Sequence, residues 1–87
     1  MVKTPYKQGE IYSIEAGDYV GQMFVVVDIT NDSVGCLRLP DMDNLKVPIE
    51  SFDHGRNTGI IVLSEKLPRS VYKVSKAQYF KNEDANN

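Results

Sequence analysis

Gly17-Asp18-Tyr19-Val20-Gly21-Gln22-Met23-Phe24-Val25-Val26-Val27-Asp28 carries the architecture of the chain. Met23 to Val27 is an unbroken apolar run with three consecutive valines, whose branched side chains lose freedom in a helix and fit a pleated sheet. A strand with no polar alternation must be covered on both faces. Upstream, Gly17 and Gly21 flank a tight polar turn, so a preceding strand folds back on this one. That strand is Gln8 to Glu15, in which Tyr12 and Ile14 point one way and Ile11 and Ser13 the other, the period of two of a pleat. Downstream, Asn31-Asp32-Ser33 supplies turn chemistry, and Val34 to Leu39 forms a third strand ended by Pro40. The three strands make a meander.

Further outward the signals weaken. Met1 to Lys7 is a polar lead-in whose Pro5 discourages regular structure. Pro40 to Asn44 reads as a loop, and Leu45 to Ile49 as a short or edge strand, because Pro48 cannot donate to a ladder. Glu50 to Thr58 contains Asp53-His54-Gly55-Arg56-Asn57 and reads as a polar loop; Gly59 to Ser64 is a further apolar strand. From Ser70, alternation over 70–74 competes with a helical face made of Val71, Val74 and Ala77. The alternation favours a strand from Val71 to Val74 and then a helical turn near Lys76 to Phe80. Short strands at regular spacing predict an all-β fold, a small SH3-like barrel of about five strands with at most one short C-terminal helical turn. Residues 1–81 are expected to form that single domain and 82–87 a disordered tail.

Composition narrows the function. The 87 residues are 41% hydrophobic and 25% charged, ordinary for one globular domain. The lone cysteine, Cys36, has no internal partner for a disulfide, and no apolar run approaches membrane-spanning length. A cytoplasmic protein without a membrane segment is expected. The net charge of −2 is unevenly spread. Residues 1–53 hold four basic and nine acidic groups, whereas 54–81 hold six basic groups and one acidic group, Glu65. Asymmetry of this kind marks an electropositive face if the sequence halves map to molecular faces.

Residues 9–39, from Gly9-Glu10-Ile11 through Gly17, Gly21 and the valine strand to Asp28 and beyond, resemble a KOW motif. That motif is the strand–loop–strand element of SH3-like barrels in ribosomal proteins and transcription elongation factors. The resemblance implies contact with RNA or with a protein of the transcription or translation machinery. Val20 stands where the family usually has a basic residue, and Phe24 where a further glycine often opens the second strand. A more distant likeness is to the MazF/PemK toxin nucleases, barrels that also begin with a Gly-acidic-Ile strand. Their arginine in the first long loop is absent from 16–22, and Leu39-Pro40-Asp41-Met42 lacks their hydroxyl residue. Nuclease activity of that kind is therefore not expected, whereas an inhibitor or decoy acting on such a toxin would need only a complementary surface.

No group of residues meets the spacing of an enzyme site. His54 is the only histidine, and its adjacency to Asp53 does not make a catalytic pair. Cys36 sits in an apolar strand and reads as a buried structural thiol. Asp41, Asp43 and Asn44 lack the glycine and distal glutamate of a calcium loop, and Gly17 to Gly21 lacks a following Lys-Ser/Thr. No cofactor or metal is expected.

Binding has more support. Arg69, Lys73, Lys76 and Lys81 are interleaved with Tyr72, Tyr79 and Phe80, with Arg56 and Lys66 upstream in the same basic segment, cations for phosphate and rings for unpaired bases. The competing reading makes Tyr72 and Phe80 packing residues at one end of the barrel. Asp18 and Tyr19 in the turn, with Arg56 in the polar loop, are candidates for contact with a protein. The expectation is a non-enzymatic module that docks on a protein or ribonucleoprotein as a regulator or inhibitor. An RNA or single-stranded nucleic-acid binder using 54–81 is the alternative. An edge strand interrupted by Pro48 also leaves room for a homodimer.

Overall fold

The computed structural model describes residues 6–85. The elements are β1 (Glu10–Ile14), β2 (Met23–Ile29), β3 (Ser33–Leu39), β4 (Asp43–Pro48), α1 (Ile49–Thr58), β5 (Ile61–Lys66) and α2 (Arg69–Ala85). The five strands form one antiparallel sheet in the order β4-β3-β2-β1-β5. The expected all-β, SH3-like barrel is therefore corrected. The strands number five, but β4 and β5 pair only with their inner neighbours, and two helices do the covering.

The valine ridge explains why two helices are needed. Val25, Val26 and Val27 are fully buried although their side chains alternate between the faces of β2. On one face Val26 joins Tyr6, Tyr12, Phe24, Val34, Cys36 and Phe52 of α1. On the other, Val25 and Val27 pack with Ile11, Leu37 and Tyr79 of α2. A strand apolar on both sides demands a layer on each, and α1 and α2 are those layers.

Residues 50–58, expected as a loop, are helical. Phe52 lies among the rings of Tyr6, Tyr12 and Phe24, with centroids 4.5, 5.2 and 5.9 Å away. Gly55 is buried inside the helix rather than in a turn, because a Cβ there would lie 3.0 Å from the Ile61 side chain. Close approach of helix to strand, not turn geometry, accounts for that glycine. The helix ends at Gly59, whose φ of 78° is the left-handed cap that glycine adopts without strain.

Residues 71–74, expected as a strand, and 76–80, expected as a single turn, belong to the 17-residue helix α2. Its buried stripe is Tyr72, Ser75 and Tyr79, spaced three and four apart. Val71 and Val74 are 45% and 66% exposed, so the apolar face apparent in the sequence is not the one that packs. The helix continues to Ala85, making 82–85 of the expected tail helical. Residues 86–87, and most of the lead-in at 1–5, lie outside the described residues. Tyr6, at the end of that lead-in, is 1% exposed.

Candidate nucleic-acid interface

α2 is held to the sheet by aromatic packing and by amides. The Tyr72 hydroxyl donates to the Val27 carbonyl at 3.0 Å, and its ring lies against Gly9. Tyr79 reaches further, its hydroxyl lying over Gly35 of β3, where a side chain would leave no room. Burial pushes the Tyr79 hydroxyl up to about 12, with the nearby Glu83 and Asp28 carboxylates acting in the same direction. At the C-terminal end, Asn82 Nδ2 donates to the Met42 carbonyl (2.8 Å) and to Asn44 Oδ1 (3.0 Å). Asn44 Nδ2 in turn donates to the Tyr79 carbonyl at 2.9 Å. Lys46 Nζ and Glu83 Oε1 form an ion pair at 2.8 Å, which holds the Glu83 carboxyl below its ordinary value. These contacts fix the rotation of α2 about its axis.

With Tyr72, Ser75 and Tyr79 turned inward, a second set of positions is turned out. Arg69, Lys73, Lys76 and Phe80 are spaced four, three and four apart, which aligns them along one stripe. All four are exposed, Phe80 to 42%. At 1.5 Å per residue the stripe runs for roughly 16 Å. Among the described residues no carboxylate forms an ion pair with any of its cations; the salt bridges there involve Arg38 and Lys46. Lys66, also exposed and unpaired among the described residues, ends β5 three residues before the helix starts. Glu83 and Asp84, three and four residues beyond Phe80, are the acidic groups nearest to the stripe in helical spacing, and Glu83 is paired with Lys46.

The residues singled out from sequence therefore divide. Lys66, Arg69, Lys73 and Lys76 stand at the surface, and the last three share a line. Tyr72 and Tyr79 do not join them: Tyr72 is half-buried and Tyr79 is 1% exposed, both committed to the sheet. The exposed ring beside the cations is Phe80, which meets Tyr79 edge-on at 5.2 Å. The four-three-four spacing over 69–80 is the signal that singles out Phe80 once the segment is known to be helical.

Arg56 lies elsewhere, on α1, with its guanidinium 5.7 Å over the Tyr6 ring. Asp18 and Tyr19 are exposed in the turn between β1 and β2, Tyr19 to 62% and its neighbour Val20 to 59%. Gly17 and Gly21 take φ of 91° and 92° there, and the turn closes through Gly21 N–H to the Ile14 carbonyl at 2.8 Å. Tyr19 lines a shallow apolar cleft with Ile14, Gln22, Arg38 and Leu45. Arg38 is occupied by Asp43, through Nε at 3.0 Å and Nη2 at 2.6 Å, and by Asp41 at 3.6 Å. Arg56 and Tyr19 line different clefts.

Groups with chemical potential are placed for other work. Cys36 is wholly buried, and burial pushes its thiol up to about 12, which keeps it neutral. His54 is exposed on α1, where its carbonyl accepts a hydrogen bond from Thr58 Oγ1 at 2.7 Å. Among the described residues, no three of His, Cys, Asp and Glu converge as metal ligands, and no helix is long and apolar enough to cross a membrane. Comparison with known proteins returned no matching family model, no matching curated protein and no matching solved structure.

Proposed function

We propose that this protein is a non-enzymatic module that binds single-stranded RNA or a ribonucleoprotein through the outer stripe of α2. One observation carries the reading: Arg69, Lys73 and Lys76, which form no ion pair among the described residues, make a line of cations that ends in the exposed ring of Phe80. Cations spaced along a helix suit successive phosphates, and an exposed ring suits an unstacked base. The KOW-like character of residues 9–39 points the same way. A cytoplasmic setting fits a fold that rests on packing with one buried free thiol.

Fluorescence anisotropy with a labelled single-stranded RNA tests the reading. Lys73→Glu with Lys76→Glu removes binding at moderate salt while the thermal midpoint holds, because neither side chain packs. Phe80→Ala weakens binding by about 1–3 kcal/mol, the worth of one stacked base. Equal affinity across all three proteins would end the proposal.

Docking on a protein is the second reading. It is favoured by the exposed pair Tyr19 and Val20 beside an apolar cleft, a combination in which an aromatic anchor serves a protein partner. Nuclease treatment of a lysate before capture separates the two: RNA-bridged partners disappear, and partners held by Tyr19 remain until Tyr19→Ala.

A further inference from the structure

The two edges of the sheet are unlike. β4 carries Asp43 and Lys46 and ends at Pro48, devices that blunt an edge. β5 holds its two charges, Glu65 and Lys66, together at its end, so that Ile60 to Ser64 has no charge or proline, and every residue of the strand but Ile61 is exposed. Its backbone is only half used. The Glu15 N–H donates to the Ile60 carbonyl at 2.7 Å, and the register Ile14↔Ile61 sets Glu15 opposite Ile60. Hydrogen-bonded pairs alternate along an antiparallel ladder, so Ile60 and Val62 direct their N–H and C=O groups toward β1. Those of Ile61 and Leu63 then point outward, where no strand pairs with them among the described residues.

The side chains add a preference. Ile61 packs into the α1-side core, and Leu63 stands opposite Tyr12, which faces that side too. A cleft there is lined by Tyr12, Arg56, Gly59, Ile61, Val62 and Leu63. Arg56 brings a cation to it, and no carboxylate among the described residues forms an ion pair with that guanidinium. A residue added opposite Leu63 would share its face of the sheet and so meet Arg56.

We infer that β5 takes up an extended segment of a partner protein as a sixth strand, with an acidic side chain of that segment bound by Arg56. Main-chain bonds to Ile61 and Leu63 supply affinity, and the carboxylate supplies selectivity. The site is separate from the α2 stripe, and it stands whether or not RNA is bound.

The test uses the full chain, labelled for amide NMR, and a synthetic peptide of alternating threonine and valine with one central glutamate. The Ile61 and Leu63 amides are expected to shift and saturate with this peptide. The glutamine twin of the peptide, or Arg56→Gln, is expected to weaken binding about tenfold, the weight of one charge-assisted hydrogen bond. Leu63→Pro removes an outward donor that the β1 ladder does not use, and should abolish binding. If that variant misfolds, Arg56→Gln decides alone. The inference is overturned if the glutamate peptide shifts no β5 amides, or if the glutamine twin binds equally well. It is overturned as well if dilution without peptide shifts the same amides, which would assign the edge to a second copy of the chain.

Discussion

α1 and α2 cover opposite faces of one sheet by different means. α1 has ten residues and is anchored by Phe52 inside a cage of three rings, with Gly55 letting it approach Ile61. α2 has seventeen residues and touches the sheet along Tyr72, Ser75 and Tyr79, with a set of amide bonds at its far end. The short helix is seated by Phe52 and Gly55, its two buried residues. The long one devotes a narrow stripe to the fold and leaves the rest of its circumference to solvent, including four cations (Arg69, Lys73, Lys76 and Lys81) and the Phe80 ring. A helix seated by few side chains has surface to spare for a ligand.

The largest expected effect lies on the α1 side. Phe52→Ala empties the centre of the aromatic cluster and should cost about 3–5 kcal/mol in denaturant unfolding. A loss of about 1 kcal/mol would mean that α1 rests on the sheet without anchoring it, and the contrast between the helices would collapse.

Next comes the α2 contact. In Gly35→Ala the new methyl would meet the Tyr79 hydroxyl and lie 2.8 Å from Cζ, so the ring must move. A cost of about 1–3 kcal/mol is expected, the usual range for overpacking. Combining it with Tyr79→Phe should recover part of that cost, and strict additivity in the double mutant would show that the two residues do not press on each other.

Asn82→Ala is expected to be the mildest of the three. It removes donors to Met42 and Asn44 in a partly exposed place, a change worth about 1 kcal/mol. Amide exchange should quicken in the last turns of α2 and stay unchanged in α1. Equal acceleration in both helices would mean that they open together.

The helices were also the parts hardest to read in the sequence. β1, β2 and β3 declare themselves through period-two alternation, the valine run and turn residues, all local signals, and their observed limits lie close to those expected. α1 is hidden because Asp53-His54-Gly55-Arg56-Asn57 has turn chemistry, and the reason it is helical, contact of Phe52 and Gly55 with the sheet, is not local. α2 is hidden because its buried stripe holds two tyrosines and a serine, while the exposed Val71 and Val74 mimic a core face. The cations of the candidate site were legible as composition. Which ring accompanies them was not, since that depends on the rotation of a helix set by Tyr79 over Gly35.

The salt dependence of RNA binding tests the central claim most directly. If Arg69, Lys73 and Lys76 each displace one counterion, log K against log salt should fall with a slope of about −2. Raising salt fourfold then weakens binding by roughly twentyfold, and Lys73→Glu with Lys76→Glu flattens the line. A slope near zero in the unaltered protein, or the same slope in the charge-reversed one, would contradict the account.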